Sequence, residues 1–344
     1  MTQVLDAAGV ADGARVEELR FESFIGTGQT GRNARYSLTW DRPAGRPASV
    51  VGKFPSGDAN ARMGAFASGS YLTEVSFYGE LAPTVGIRVP QCHLAAYDHG
   101  KPDFVMIMED LSNSRQGDQM RGLTVDEAAL AVEQAVGLHA PRWGDATLAT
   151  FGSHRPSGDE AAMGLAMAYM MFAEPFLDRL GAGLDADIVE LVRAVTPFVQ
   201  QWVFSIETPR TVAHLDYRPD NFMFGATPEA PPLVVVDWQT ATEGAAMWDL
   251  AYMIGGSFEP AQRAAVERGL LDDYRTRLQA AGVDYAADAL WHDYRLGSLW
   301  GVVMTVIATL MAAQTERGDE MLTVMAQRHG RHALDLDVLG VLRS

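Results

Sequence analysis

His214-Leu215-Asp216, with Asn221 five residues beyond Asp216, is followed by the apolar run Leu233-Val234-Val235-Val236 that ends on Asp237. This arrangement restricts the chain more than any other feature. Four apolar residues in succession deliver the Asp237 carboxylate to the end of a buried strand, which is how a metal-binding aspartate is held rigidly. The set as a whole is the polar equipment of phosphoryl transfer. Asp216 can take or orient a hydroxyl proton, while the Asn221 amide and the Asp237 carboxylate supply oxygens to Mg²⁺. His214 reads as a hydrogen-bonding brace of the loop. Arg218 reads in two ways, as a fixed positive charge beside the moving phosphoryl group or as an ion-pair partner of Asp220.

Two further elements precede this set in the order that such chemistry needs. Gly26-Thr27-Gly28-Gln29-Thr30-Gly31 is a GxGxxG turn, and Gly26, Gly28 and Gly31 let the backbone approach phosphates with no Cβ in the way. A dinucleotide-binding turn would open a helix here, but residues 32 to 40 alternate as a strand. Lys53 ends Val50-Val51-Gly52 on the third expected strand, where it would contact the α- and β-phosphates. Its expected partner is an acid on the next helix, Glu74 in first place and Glu80 as the rival.

The surrounding sequence reads as two unlike regions. Strands are expected over 15–25, 32–40, 49–54, 91–97 and 104–109. On the second of these, Ala34, Tyr36, Leu38 and Trp40 share a face. Residues 56–70, rich in Gly, Ser and Ala, read as a mobile connection, and 71–81 as a helix. After Leu111 helices dominate: 124–139, where Thr124 and Glu127 form a capping-box pattern, then 161–172, 186–204, and most of the chain beyond Ala246, with a break near Gly282. The predicted organisation is an α+β, bilobal protein-kinase-like fold. A small antiparallel β-rich nucleotide-binding lobe spans 1–111, and a larger, mainly helical catalytic and acceptor-binding lobe spans 112–344.

Composition sets limits on partners. The formal net charge of −17 argues against nucleic acid and anionic membrane surfaces, both of which need positive charge. Cys92 is the single cysteine, so no intramolecular disulfide is possible. That, with an N-terminus that does not read as a signal peptide, fits a cytoplasmic location. Residues 296–315 carry no charge and are long enough to span a bilayer, but Gly297, Ser298, Gly301, Thr305 and Thr309 favour a buried helix. The methionines Met163, Met167, Met170 and Met171 read as core or as the lining of an adaptable apolar pocket.

The chain resembles the aminoglycoside phosphotransferase and choline kinase-like family, and within it the ecdysteroid-kinase-like branch. The matching motifs are Glu74-Val75-Ser76-Phe77-Tyr78, Glu109-Asp110-Leu111, Leu138-His139-Ala140, His214-Leu215-Asp216 with Asn221, Asp237-Trp238-Gln239 and Asp249-Leu250-Ala251-Tyr252. The resemblance implies ATP as donor, with GTP as an alternative, Mg²⁺, and a small-molecule alcohol as acceptor. It also implies that Glu109 and Leu111 lie beside the nucleotide and that Asp249 braces the catalytic loop. Two positions depart from the family pattern: Leu215 stands where glycine is frequent, and Trp238 where phenylalanine is. Asp249 follows Asp237 by only twelve residues, too short an interval for the activation segment of a protein kinase. A protein kinase and a non-catalytic nucleotide-binding module are the competing readings. The acceptor and the oligomeric state are not written in the sequence.

Overall fold

Alternation with a period of two residues builds the N-terminal region of the molecule. In the computed structural model, which describes residues 1–26, 30–151, 158–311 and 314–343, a short helix α1 (Thr2–Ala7) precedes five strands. These are β1 (Val16–Ile25), β2 (Gly31–Trp40), β3 (Ser49–Pro55), β4 (Cys92–Asp98) and β5 (Asp103–Glu109). They pair antiparallel in the order β1-β2-β3-β5-β4. The face expected to be inward on β2 is so: Ala34, Leu38 and Trp40 are buried. Leu38 and Trp40 pack with Leu5, Val50 and Ile107, with Tyr36 partly buried against them.

The passage from β3 to β4 holds α2 (Ala59–Ala67) and α3 (Ser70–Ser76). The expected mobile connection over 56–70 is therefore largely helical. Asp58 caps α2 by accepting from the Ala61 N–H at 2.8 Å. That cap and the alanines outweigh the glycines and serines that suggested a loop. α3 runs on into a π-helical turn, Phe77–Leu81, so the helix expected over 71–81 is present but changes its winding after Ser76.

Contacts divide the chain into two compact units. The first comprises Met1–Thr84, Arg88–Arg115 and Gly225–Ala241, and the second Val85–Ile87, Gln116–Phe224 and Thr242–Ser344. The chain thus returns to the first unit to deliver Asp237. The short strand Leu233–Val235 is anchored there by a bond from the Val235 N–H to the Arg88 carbonyl, 2.9 Å.

The second unit is mainly helical. α4 (Val125–His139) opens on the expected capping box, with Glu127 N–H donating to Thr124 Oγ1 at 3.2 Å and Thr124 N–H to Glu127 Oε2 at 2.8 Å. α5 (Gly158–Leu180) is longer than expected and passes through Pro175. The single helix expected over 186–204 is two, α6 (Ala186–Val195) and α7 (Val199–Trp202), separated by a 3₁₀ turn around Pro197, which has no N–H to continue the ladder. α8 (Ala246–Ser257) is buried along its whole length. α9 (Pro260–Ala280), α10 (Ala287–Met311), α11 (Glu316–Asp335) and α12 (Val338–Arg343) complete the unit, and Gly282 makes the expected break with a φ of +88°. A two-stranded ladder joins Thr211–Ala213 to Thr242–Gly244.

α4, α10 and α11 pack on α8. The uncharged stretch of α10 buries Leu299, Trp300, Val303 and Val306. Gly297 lets α10 approach closely, since a Cβ there would lie 2.6 Å from the Met247 carbonyl. No described helix is long and apolar enough to cross a membrane. The methionine stripe differs from a core reading. Met163, Met167, Met170 and Met171 are exposed, and α5 buries Ala162, Tyr169, Ala173, Phe176 and Leu177 instead.

Candidate active site

In the first unit, three chain segments converge on one ammonium. Lys53 Nζ lies 2.6 Å from Glu74 Oε1 and 3.5 Å from Asp237 Oδ1. Of the two acids considered for Lys53, Glu74 is the one in contact; Glu80 is exposed on the π-helical turn. Burial alone would lower the lysine's pKa, but the Asp237 and Glu74 carboxylates outweigh it and raise the value, so the ammonium is held charged. Burial raises the pKa of Glu74, opposed chiefly by Lys53.

The turn ahead of Lys53 is placed by the same elements. Gly26 has a φ of +73°, a conformation that glycine adopts at little cost. Gly31 opens β2 over the lysine stem, where a Cβ would lie 3.1 Å from the Phe54 carbonyl and 3.5 Å from Lys53 Cε. Gly28 lies outside the described residues. The Tyr71 hydroxyl donates to the Thr30 carbonyl at 2.5 Å, and Thr30 Oγ1 donates to Gln239 Oε1 at 2.8 Å. At the end of β5, the Glu109 carboxylate is taken by Arg88, 2.7 Å to each oxygen, and by the Gln91 N–H. Asp110 pairs with Arg35 and accepts from Ser49. Leu111 is half-buried and accepts from the Ser114 N–H. The Glu109 and Asp110 side chains are thus both engaged within the first unit. Cys92 is half-buried, and burial pushes its thiol up to about 11, the behaviour of a packing residue and not of a nucleophile.

In the second unit, the loop is a short, self-bonded structure. The Asn221 NH₂ donates to the Asp216 carbonyl at 2.8 Å and to its Oδ2 at 2.9 Å. The Asn221 oxygen is therefore the atom that the amide can offer a cation. Arg218 makes the expected ion pair with Asp220, Nη1 3.0 Å from Oδ2, and a second one with Asp216, Nε 2.9 Å from Oδ1. Burial would raise the pKa of Asp216, but Arg218, His214 and Asn221 together bring it below the usual carboxylate value. Asp216 is thus ionised at neutral pH.

A buried carboxylate fixes this loop. Asp249, on α8, accepts from the His214 N–H at 2.7 Å, the Leu215 N–H at 2.8 Å and His139 Nε2 at 3.2 Å. His139 Nδ1 is 2.7 Å from the Tyr274 hydroxyl. Leu215 has a φ of +65°, in the left-handed region that favours glycine. Its two backbone bonds hold it there, the N–H to Asp249 and the carbonyl to Trp300 Nε1 at 2.9 Å. The His214 ring accepts from the Asp216 N–H at 3.2 Å, a bracing bond. One residue next to Asp216 escaped the sequence reading. The Tyr252 hydroxyl hydrogen-bonds to its carboxylate. The signal was available, since Tyr252 follows Asp249 by one helical turn and so shares its face.

Comparison with known proteins identifies the family and the fold. A family model described as "Phosphotransferase enzyme family" matches residues 33–285, more than half of the chain. No curated protein matches the sequence. Among solved structures, an ethanolamine kinase from Plasmodium vivax aligns with a TM-score of 0.55 at 10% identity, covering 97% of this chain and 86% of that one. The GDP and kanamycin complex of the phosphotransferase APH(2″)-IIIa aligns with a TM-score of 0.55 at 14% identity, covering 96% and 99%. The GDP complex of an aminoglycoside 2′-phosphotransferase-IIIa aligns with a TM-score of 0.54 at 14% identity, covering 94% and 98%. At these identities the structures establish a shared fold, while the family model covers most of the strand after the glycine turn, Lys53 and every polar residue of the Asp216 loop. The chain belongs to the phosphotransferase enzyme family.

Proposed function

We propose that this protein transfers the γ-phosphoryl group of ATP, or of GTP as an alternative donor, to a hydroxyl of a small molecule. The observation that carries the reading is the Asp216 loop: an ionised carboxylate, flanked by Arg218 and Asn221, on a backbone pinned by Asp249. In this reading Lys53 neutralises the α- and β-phosphates, and Glu74 keeps its ammonium aimed. Gly26, Gly28 and Gly31 let the backbone approach the phosphates, and the Glu109–Leu111 backbone receives the base. Asp216 orients the acceptor hydroxyl and takes its proton as the bond to phosphorus forms. Arg218 sets positive charge beside the phosphoryl group in flight. Asp237 and Asn221 would hold Mg²⁺, which offsets the negative charge that builds on the phosphates. Solved structures of this fold include a complex with GDP and kanamycin and an ethanolamine kinase, and these suggest the donor and acceptor classes to test first.

The test is ADP release during a screen of hydroxylated metabolites and antibiotics, with ATP and GTP in parallel. Asp216→Asn should bind nucleotide as the parent does while transfer falls by about 10² to 10⁴. Full transfer by that variant would remove Asp216 from its assigned role. Tight nucleotide binding with no transfer to any hydroxyl would instead support a non-catalytic module.

A further inference from the structure

Trp238 and Phe77 carry no charge, yet they join the segments that bring Asp237 and Glu74 to Lys53. Their rings stack face to face, with centroids 3.8 Å apart and an interplanar angle of 2°. Both side chains are fully buried. The Trp238 backbone N–H donates to the Glu74 carboxylate, and its indole Nε1 donates to the Val235 carbonyl at 3.2 Å. A single residue thus contacts Glu74 through its backbone, Phe77 through its ring, and the strand that carries Asp237 through its indole nitrogen. Phe77 follows Glu74 by three residues, one turn along the helix, and is the first residue of the π-helical turn. Widened turns of this kind re-aim side chains and recur at functional positions.

The backbone shows what the stack must oppose. Asp237 has a φ of +67°, a conformation that a non-glycine residue keeps only where its surroundings over-determine it. The next two residues provide that. Trp238 is clamped on Phe77, and Gln239 accepts from Thr30 at the end of the glycine turn. The helix that carries Glu74 and Phe77 reaches the same turn through the Tyr71 hydroxyl. For Glu74 to withdraw from Lys53, the helix would have to slide and pull one large apolar ring off the other.

We propose that the Trp238–Phe77 stack is the positioning device of the phosphate-side cluster. It sets the Asp237 carboxylate and Glu74 in register with Lys53, so that a nucleotide–Mg²⁺ complex meets a preassembled site. The inference rests on the nucleotide-binding reading of Lys53 and Asp237 given above. Neither ring touches a phosphate in this scheme; each acts through the carboxylate beside it.

Calorimetric titration of ATP, once in EDTA and once in Mg²⁺, tests it without turnover. The quantity read is the ratio of the two affinities for the parent, Trp238→Phe, Trp238→Leu, Phe77→Leu and the double leucine variant. Trp238→Phe keeps a stacking ring and the backbone donor, and its ratio should stay within about threefold of the parent's. Each leucine variant should cut the ratio by about tenfold, with a smaller change in EDTA, and the double variant should do little more than either alone, because both remove one contact. Circular dichroism checks that each variant is folded. Should Trp238→Leu not fold, Phe77→Leu reports the same contact from its other side. An unchanged ratio in a folded leucine variant, or losses that add in the double variant, would overturn the proposal. A parent whose ATP affinity does not respond to Mg²⁺ would overturn the reading of Asp237 itself, and the proposal with it.

Discussion

The Lys53 cluster and the Asp216 loop hold charged groups still by different means. Lys53 meets acids that lie 21 and 184 residues away in sequence, and its ammonium offsets the charge of both carboxylates. Asp216, Arg218 and Asn221 fall within six residues. The shape of their loop comes from Asp249, which is fully buried and bonds the loop backbone. In the first unit the charged groups contribute to their own support, alongside the Trp238–Phe77 stack. In the second, function and support belong to different residues. Substitution of a functional residue should therefore destabilise the first unit and spare the second.

The largest effect tests the support of the second unit. Asp249→Ala leaves two loop N–H groups and His139 without their buried acceptor, and it should cost about 3–5 kcal/mol of stability. Urea unfolding measures this. Asp216→Asn, in the same loop, should change stability by less than about 1 kcal/mol because the backbone anchors remain. Equal losses would break the comparison. Lys53→Met comes next. It strands the almost fully buried Glu74 carboxylate beside Asp237. The expected cost is about 2–3 kcal/mol, moderated because Glu74 can take up a proton. Adding Glu74→Gln should recover most of that loss. A double variant no more stable than Lys53→Met would show that charge balance is not what holds the cluster.

The second unit has a pH dependence of its own, set by a neutral group. His329 is buried against Tyr252, with ring centroids 4.9 Å apart and an interplanar angle of 11°. Burial, with Arg328 on its own helix and Arg218 from the loop, lowers its pKa from 6.5 to about 3. The unfolded chain binds a proton on this ring near pH 6.5 while the folded protein does not. The contribution of His329 is therefore fully present above about pH 6.5 and is lost progressively as pH falls toward about 3. His332, also buried, is lowered in the same sense. From pH 6.5 to 5, His329 should cost about 2 kcal/mol. Urea midpoints at pH 7, 6 and 5 for the parent and for His329→Leu check this, and the variant should show the shallower decline.

The contrast between the units also decides what could be read from the sequence. The strands, the α4 capping box and the Asp216 loop are local patterns, in which neighbours in sequence are neighbours in space. The pairing of Lys53 with an acid was legible as a need, but the choice of Glu74 over Glu80 depends on where the helix changes its winding. α2 was hidden by glycines and serines that a single cap at Asp58 overrides. The exposed methionine face of α5 was ambiguous because an uncharged stripe looks the same whether covered or bare. The Trp238–Phe77 stack is tertiary, and each ring alone looks like an ordinary core aromatic.

Leu215 offers the smallest effect and the most direct separation of support from function. Its left-handed backbone costs a non-glycine residue about 1–2 kcal/mol, and that strain is retained by bonds to Asp249 and Trp300. Leu215→Gly removes the strain but frees the unfolded chain and gives up a half-buried side chain, so the net change should stay within about 1 kcal/mol. Leu215→Val keeps the strain and adds a branched Cβ, and it should destabilise by about 1 kcal/mol more than glycine does. If the second unit separates support from function as argued, both variants keep nucleotide affinity, and transfer follows stability with valine below glycine. A glycine variant that stays folded but loses transfer would show that the strained backbone at Leu215 aims Asp216 directly, and that the loop holds itself as the Lys53 cluster does.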